Sequence, residues 1–294
     1  MSGSVYYANL ALNGLVEGLV IALAALAVTL VFAVARFPNA ATGDFMTAGA
    51  YAGIGVQALG LGSSVWLSGL AAVAATMALA AVAYLAVFRR LLGRSLVAAL
   101  LASIGVAFLV RSLLTFFIGH DQHVFQGVPI TRAMNFGGVR VLPLDLYLGA
   151  AALVCLAVVF AVLFLSPVGR RMRAVADDPD LARVSGIRVG RVMLTLWLLV
   201  GAVTAVGGMI VGIKTVVMPE MGWDLLLPAF AAAILGGVGS PTGAVLAGVL
   251  LGVAQELSTP FVGFSYKIAL SFVVLVVILL VRPQGLFGRL ERVR

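Results

Sequence analysis

The sequence predicts an all-α fold, a polytopic bundle of about eight to ten transmembrane spans with two short or broken helices and an internal pseudo-repeat. Of the 294 residues, 63% are hydrophobic and only 10% are charged, and the mean hydropathy is +1.17. A soluble domain of this length could not bury so much apolar surface, whereas a bilayer supplies an apolar solvent for it. We expect one transmembrane domain over residues 1–294.

Apolar runs long enough to cross a membrane recur along the chain. They cover residues 10–34, 44–61, 65–88, 96–118, 144–165, 192–213 and 264–281. Two shorter pieces, 225–235 and 244–257, form either two short spans or one re-entrant pair, so the expected count spans eight to ten. Within the 119–143 loop, residues 139–142 are expected to be extended in a small hairpin.

Two polar, glycine-rich stretches, RFPNAATGD at 36–44 and GGVGSPTG at 236–243, interrupt these runs. Irregular backbone at membrane depth survives only against protein or a water-filled path. Paired broken helices in two halves of a transporter mark its translocation pathway. The candidate pathway residues are Asn39, Gly43, Asp44, Gly236, Gly237, Gly239 and Ser240. The alternative is that the small residues only allow close helix packing, as the GxxxG pair of Gly248 and Gly252 does elsewhere.

Four ionisable residues fall inside or at the ends of apolar runs, where charge is expensive and is a functional candidate by default. Glu17 and Glu256 are the candidates for a polar role in the pathway, against a buried hydrogen bond to a neighbouring helix. Asp44 has an alternative role as a cap for the helix after Gly43, and Arg111 as a side chain that snorkels to the outer interface.

Residues 166–191 form a polar island that holds six arginines and three aspartates. Asp178 is a good N-cap, Pro179 suits the first helical position, and Gly186 is placed to end the helix in a left-handed turn. A helix of about two turns follows, with Leu181 and Val184 on one face and Ile187 close behind. Such a helix either docks into a groove on a soluble partner or is a solvated connector. The candidate contact residues are Asp178, Pro179, Leu181, Ala182, Val184 and Gly186.

The arginines predict the orientation. If the spans alternate, 14 of the 17 fall on one side, which the positive-inside rule assigns to the cytoplasm. The island is then cytoplasmic, the 119–143 loop and both lysines lie outside, the N-terminus is outside and the C-terminus is inside. Because the arginines sit at span ends and form no continuous stripe, the net charge of +8 indicates membrane topology rather than nucleic-acid binding.

The sequence lacks the motifs of an energy-converting enzyme. It has no G-x-x-x-x-G-K-[ST] motif, no GxSxG and no HExxH, and its carboxylates are scattered. A lone Cys155 and the pair His120 and His123 do not make a metal site. We expect a transport subunit with no cofactor or catalytic residue of its own, which takes its energy from another chain.

Four stretches carry a resemblance to a known family: residues 13–53, with NAATGDFMTAGAYAG; 169–192, with AVADDPDLARVSGI; 231–257, with LGGVGSPTGAVLAG; and RPQGLFG at 282–288. With them the chain resembles the LivH-type permease subunits of bacterial ABC importers for branched-chain amino acids. The resemblance implies a LivM-type second permease, two ABC ATPase subunits that bind the ATP, a periplasmic solute-binding protein and a bacterial inner membrane. It also implies that residues 176–187 contact an ATPase.

The resemblance has one departure. Many relatives read N-F-A-H-G-D where this chain has Asn-Ala-Ala-Thr-Gly-Asp at 39–44. Asn39, Gly43 and Asp44 are kept, so we expect the broken helix to be retained, whereas the identity of the substrate is left open. The leading hypothesis is an importer permease that works by alternating access. The alternative is a stand-alone channel or ion-coupled carrier for a small neutral solute such as urea or an amide, in which Glu17, Asp44 or Glu256 titrates or binds ions. A membrane-embedded enzyme has little support.

Overall fold

We describe a computed structural model of the chain, which covers residues 3–60, 64–128, 133–136, 139–263, 266–282 and 285–287. The helices are α1 (Gly3–Ala35), α2 (Thr42–Ala58), α3 (Val65–Ala83), α4 (Arg89–Leu91), α5 (Leu96–Ile118), α6 (Pro143–Leu165), α7 (Pro167–Asp177), α8 (Pro179–Val184), α9 (Val189–Lys214), α10 (Met221–Gly236), α11 (Pro241–Val262) and α12 (Lys267–Val281). A π-helical turn, Tyr84–Phe88, joins α3 to α4. The strands β1 (Met134–Phe136) and β2 (Val139–Val141) pair antiparallel, which confirms the predicted hairpin.

Six helices of the described residues are long and apolar enough to cross a membrane: α1, α3 continued through α4, α5, α6, α9 and α11. Three others, α2, α10 and α12, have 17, 16 and 15 residues. About 20 residues are needed to cross the hydrocarbon layer, so these three are short of a full span. The predicted all-α polytopic bundle is confirmed, with short helices beside both predicted breaks. The internal pseudo-repeat stays a prediction.

Helix α1 is the centre of the bundle, buried along most of its length by α9, α10 and α11. It packs antiparallel on α11 through small residues: a methyl added at Gly252 would overlap the backbone of Gly18, and one at Gly248 would overlap Ala22. With no side chain between them, the two backbones approach closely and gain dispersion contacts along their length. The packing interpretation of the GxxxG pair is therefore confirmed.

Helix α2 rises beside α9, and the two run parallel. Gly49 lies against Ala205 and Gly53 against Met209. At the start of α2, Gly43 contacts Gly222 at the start of α10 so closely that neither position has room for a side chain. The short helices that follow and precede the two breaks thus meet backbone to backbone.

An aromatic cluster inside the bundle joins α3, α9 and the first break. The Trp197 ring stacks on Phe88 with 4.4 Å between centroids, and the rings of Tyr84, Phe37 and Phe45 lie 6.3 to 6.4 Å from it. The π turn contributes both Tyr84 and Phe88, and both are fully buried. The extra residue of a π turn changes which side chains face inward, so it brings these two rings to Trp197.

Several helix boundaries differ from the prediction. Helix α1 begins at Gly3, before the predicted 10, and α10 at Met221, before the predicted 225. Helix α11 runs to Val262, well beyond the predicted end at 257, because Thr259 and Pro260 are accommodated in its last turns. Helix α7 was missed. It begins at Pro167, with the Ser166 hydroxyl accepting from the Gly169 N–H. Its buried residues Met172 and Val175, three apart, are hidden in the sequence among arginines.

Arg111 and Asp44 pair inside the bundle. The Asp44 carboxylate accepts from Arg111 Nε at 3.0 Å and from Nη2 at 3.3 Å, and the guanidinium lies 4.8 Å from the Trp223 ring centroid. Arg111 therefore does not snorkel. Asp44 is not the N-cap of α2, which is Ala41, but it lies in the first turn of that helix, where its carboxylate favours the helix N-terminus as predicted. The pair ties the first turn of α2 to α5.

We predict that Gly252→Ala destabilises the protein by about 1–3 kcal/mol, because the methyl must displace the α1 backbone. Gly105→Ala is the matched control: Gly105 lies in α5 with nothing near its added methyl, and alanine is the better helix former. Thermal unfolding in detergent measures both. Equal melting temperatures for the two variants would contradict the packing described for α1 and α11.

We predict that Asp44→Asn destabilises the protein by about 3–5 kcal/mol, because it leaves the Arg111 guanidinium buried without its anion. The double variant Asp44→Asn/Arg111→Gln removes both charges and should recover much of that loss. Denaturant or thermal unfolding of the single and double variants measures the coupling. A double variant less stable than Asp44→Asn would show that the two residues do not act as a pair.

Candidate functional site

Helix α8 starts as the sequence predicts. Asp178 Oδ1 accepts from the backbone N–H of Asp180 at 2.9 Å and of Leu181 at 3.0 Å, and Pro179 occupies the first helical position. The same two N–H groups lower the pKa of the Asp178 carboxyl, Leu181 the more strongly. The cap therefore stays ionised at neutral pH, as a helix N-terminus favours.

The helix also ends as predicted. Gly186 has a φ of 83° and its N–H donates to the Arg183 carbonyl, while the Ile187 N–H donates to the Ala182 carbonyl. This pair of bonds is a Schellman motif, with glycine at the position that requires the left-handed conformation. Both ends of α8 are thus set by local chemistry.

The apolar face of α8 is divided between the bundle and the surroundings. Ala182 is 3% exposed and packs on the core, whereas Leu181 is 64% and Val184 86% exposed. Ile187 lies against the core, so it does not extend the exposed face as predicted. Adjacent exposed apolar side chains on a helix with a fixed base are typical of a docking surface. We call Leu181 and Val184 the docking pair.

Arg36 ties the island to the end of α1. It has a φ of 60°, which is uncommon for a residue with a side chain, and its Nη2 donates to the carbonyls of Ala176 at 2.8 Å and Asp177 at 2.9 Å. Those carbonyls belong to the last residues of α7, immediately before the α8 cap. Sequence reasoning used Arg36 only to assign the side of the membrane, and no local signal marks its partners.

The first break is closed by hydrogen bonds from its own polar residues and from α5. Asn39 Oδ1 accepts from the Ala41 N–H at 3.1 Å, and the Asn39 carbonyl accepts from the Thr42 hydroxyl at 3.0 Å. The Ala40 N–H donates to Ser103 Oγ at 3.0 Å. Three backbone groups between α1 and α2 therefore have partners inside the bundle, as an apolar environment demands, whereas the buried Asn39 Nδ2 has no hydrogen-bond partner.

Glycines and a serine cap shape the second break. Gly237 and Gly239 have φ values of 98° and 85°, and Ser240 Oγ accepts from the Gly243 N–H at 3.2 Å to cap α11. Gly236 and Gly243 contact each other's backbones. The C-terminal segment joins here, since the Leu286 N–H donates to the Leu235 carbonyl at 2.7 Å.

An apolar cleft of about 330 Å³ lies between the two breaks; we call it the inner cleft. It is lined by Val28, Thr29, Phe32, Pro38, Leu100, Phe230, Ala233, Ile234, Val238 and Gly239. Of the predicted pathway residues only Gly239 lines it. Asn39, Gly43, Asp44, Gly236 and Ser240 make the contacts given above at or beside the breaks, Gly237 provides a left-handed turn, and their role in a pathway stays a prediction.

A second cleft, of about 750 Å³, opens at the ends of α6 and α9 that are remote from the island; we call it the outer cleft. Glu17 and Glu256 both line it, so the structure brings these two predicted residues together. Glu17 makes ionic contacts with two lysines rather than the buried hydrogen bond that the sequence also allowed. Its carboxylate oxygens lie 4.0 Å from the ammonium groups of Lys214 and Lys267. The other lining residues are Asn13, Ile21, Leu142, Leu144, Asp145, Thr215, Asp224, Leu225, Pro228, Gln255 and Ile268.

Helices α1 and α10 line both clefts. On α1 the outer cleft takes Asn13, Glu17 and Ile21, and the inner cleft takes Val28 and Phe32, which continue the same stripe at helical spacing. The α1 residues between the clefts, from 22 to 27, are buried. The clefts are therefore successive spaces along one helix, separated by a packed stretch.

The sequence of this chain is similar to those of known proteins. Residues 10–280 match the family model for the permease component of branched-chain amino acid transport systems. The chain is 28% identical to the high-affinity branched-chain amino acid transport system permease protein LivH of Salmonella typhimurium, over 97% of both chains. The LivM permease protein of that organism is 34% identical over 52% of this chain and 37% of its own length.

One solved structure is similar to this chain in fold, at low sequence identity. A chain of PsaBC from Streptococcus pneumoniae, in complex with Fab, superposes with a TM-score of 0.50 at 16% sequence identity and covers 92% of this chain and 91% of that one. The family model extends over both breaks, the outer and inner clefts and the whole island. This chain therefore belongs to the family of branched-chain amino acid transport system permease components.

Proposed function

We propose that the chain is the membrane permease subunit of an ABC importer that carries branched-chain or closely related amino acids inward. The single observation that supports this most is the docking pair, two exposed apolar side chains on a capped helix that is anchored to the bundle. Because the sequence has no phosphate-binding loop, an importer driven by ATP would take its energy from a partner, and α8 is a surface on which a partner can push.

The assembly that follows from this proposal has four other components. A homologous LivM-type permease lies beside this chain in the bacterial inner membrane, two ABC ATPase subunits bind ATP below it, and a periplasmic solute-binding protein delivers the solute. The N-terminus is outside and the C-terminus cytoplasmic, as the arginines at span ends indicate. The likeness to both LivH and LivM proteins supports the pairing of two permeases.

A push on α8 has a direct route into the bundle. Arg36 links the end of α7 to the last turn of α1, and Ala182 seats α8 on the core. Since α1 lines both clefts, displacement at its inner end changes the space available in each. Packed elements of this kind shift between discrete arrangements rather than deforming smoothly. Alternating access then consists of opening one cleft while the stretch of α1 between the clefts seals the other.

We predict that Leu181→Asp or Val184→Asp abolishes ATP-driven uptake, because a carboxylate cannot enter an apolar groove on the ATPase without losing its hydration. Leu181→Met is the matched control and should retain uptake. The measurement is leucine uptake and ATP hydrolysis by the reconstituted assembly. Normal uptake by the aspartate variants would overturn the role of α8, and uptake by the purified chain without ATPases would favour the stand-alone carrier.

We predict that Arg36→Asn uncouples ATP hydrolysis from uptake, because the shorter side chain no longer reaches the two carbonyls at the end of α7. Asparagine tolerates the positive φ of this position, so the backbone is retained. Arg90→Asn removes a charge from the same face of the membrane at an exposed residue of α4, which does not line the pocket that Arg36 shares with α8, and it controls for the charge. The readout is solute moved per ATP hydrolysed. An unchanged ratio for Arg36→Asn would exclude this route.

A further inference from the structure

The outer cleft contains a line of five alternating charges contributed by five helices. In spatial order they are Asp145 of α6, Lys214 of α9, Glu17 of α1, Lys267 of α12 and Glu256 of α11. Lys214 lies 3.7 Å from Asp145 and 4.0 Å from Glu17, and Lys267 lies 4.0 Å from Glu17. Dehydrating charges at the end of an apolar bundle costs free energy, so a group of them in one cleft is a candidate functional site.

Two members of the line are held loosely and two tightly. Lys267 donates a hydrogen bond to Glu256, and these side chains are only 11% and 12% exposed. The two ion contacts of Lys214 are longer than a hydrogen bond, and Lys214 and Glu17 are 27% and 33% exposed. Lys267 and Glu256 thus form the fixed end of the line. Lys214 and Glu17 are therefore the ammonium and the carboxylate best placed to give up their contact with each other and to bind a ligand.

An ammonium beside a carboxylate selects a zwitterion. The carboxylate of an α-amino acid can accept from Lys214 Nζ while its ammonium donates to Glu17, and each contact is charge-assisted. A simple anion would meet four carboxylates, the three of the line and Asp224, which also lines the cleft, and a simple cation would meet the two lysines. The apolar wall formed by Ile21, Leu225 and Pro228 suits an aliphatic side chain, and the volume of about 750 Å³ is in the range of small-molecule sites.

We infer that the outer cleft is a reception site for a zwitterionic, aliphatic α-amino acid, in which Lys214 holds the carboxylate and Glu17 the ammonium. The inference rests on the proposed function for the substrate class. It adds a binding site within the permease itself, on the face remote from α8, where the chain takes the solute before the inner cleft opens.

Binding to the full-length chain in lipid nanodiscs, without any binding protein, tests this inference. Three ligands are compared: leucine, leucinamide, which lacks the carboxylate, and 4-methylpentanoate, which lacks the ammonium. Wild-type protein should bind leucine best. Lys214→Met should weaken leucine roughly tenfold and leave leucinamide unchanged, and Glu17→Gln should weaken leucine similarly and leave 4-methylpentanoate unchanged. Glu220→Gln, an exposed carboxylate that does not line the cleft, is the control.

A structural role for the two residues would instead weaken all three ligands equally, and that result would overturn the inference, as would wild-type protein that binds no leucine. Labelling of Lys214 by an amine-reactive reagent, followed by mass spectrometry, needs no variant: 4-methylpentanoate, which has the carboxylate but no amine to consume the reagent, should slow it, and its amide should not. Failure of the coupling proposal is seen separately, in the uptake and ATP hydrolysis of the α8 variants. If leucine binds in the outer cleft but the α8 variants take up leucine normally, the coupling role of α8 is wrong and the binding site in the outer cleft still stands.

Discussion

Backbone that leaves a helix inside an apolar bundle must find hydrogen-bond partners and close contacts there, and this constraint organises the whole molecule. At both breaks the solution is the same: small residues bring two backbones together, Gly43 on Gly222 and Gly236 on Gly243. Short polar side chains then satisfy the freed groups, as Asn39 and Ser240 do. The breaks are therefore packed, hydrogen-bonded joints, which is the kind of connection through which we propose that a push on α8 reaches the bundle.

Helix α1 extends from the polar island to the outer cleft and contacts both. Its inner end is tied to the polar island through Arg36, its middle is packed on α11 through glycines, and its outer half carries Glu17 into the outer cleft. A single helix therefore connects the polar island, where we propose that a partner pushes, to both clefts. The glycine contacts let α1 and α11 lie close enough to seal the bundle between those spaces.

Features governed by neighbours in sequence were predictable. The Asp178 cap, the glycine turn at Gly186 and the helix between them follow from residues within a few positions of one another. Both breaks were predictable because proline and glycine interrupt an apolar sequence there. Helix α7 was missed because its buried stripe is short and its arginines resemble a solvated loop. The role of the break residues in a pathway stays a prediction, since glycine and asparagine serve a packed joint as readily as a pore.

The sequence alone determined that this protein is a helical membrane bundle, where its helices break and how the short helix of the island is capped, because composition and local hydrogen bonding decide those features. Only the tertiary structure decided that Arg111 pairs with Asp44, that Arg36 holds the end of α7, and that Glu17 and Glu256 meet the lysines in one cleft. Helices that are apolar on all sides carry no mark of which face turns toward which neighbour. Their rotation and order in the bundle, which close packing sets, choose the partners of each charge.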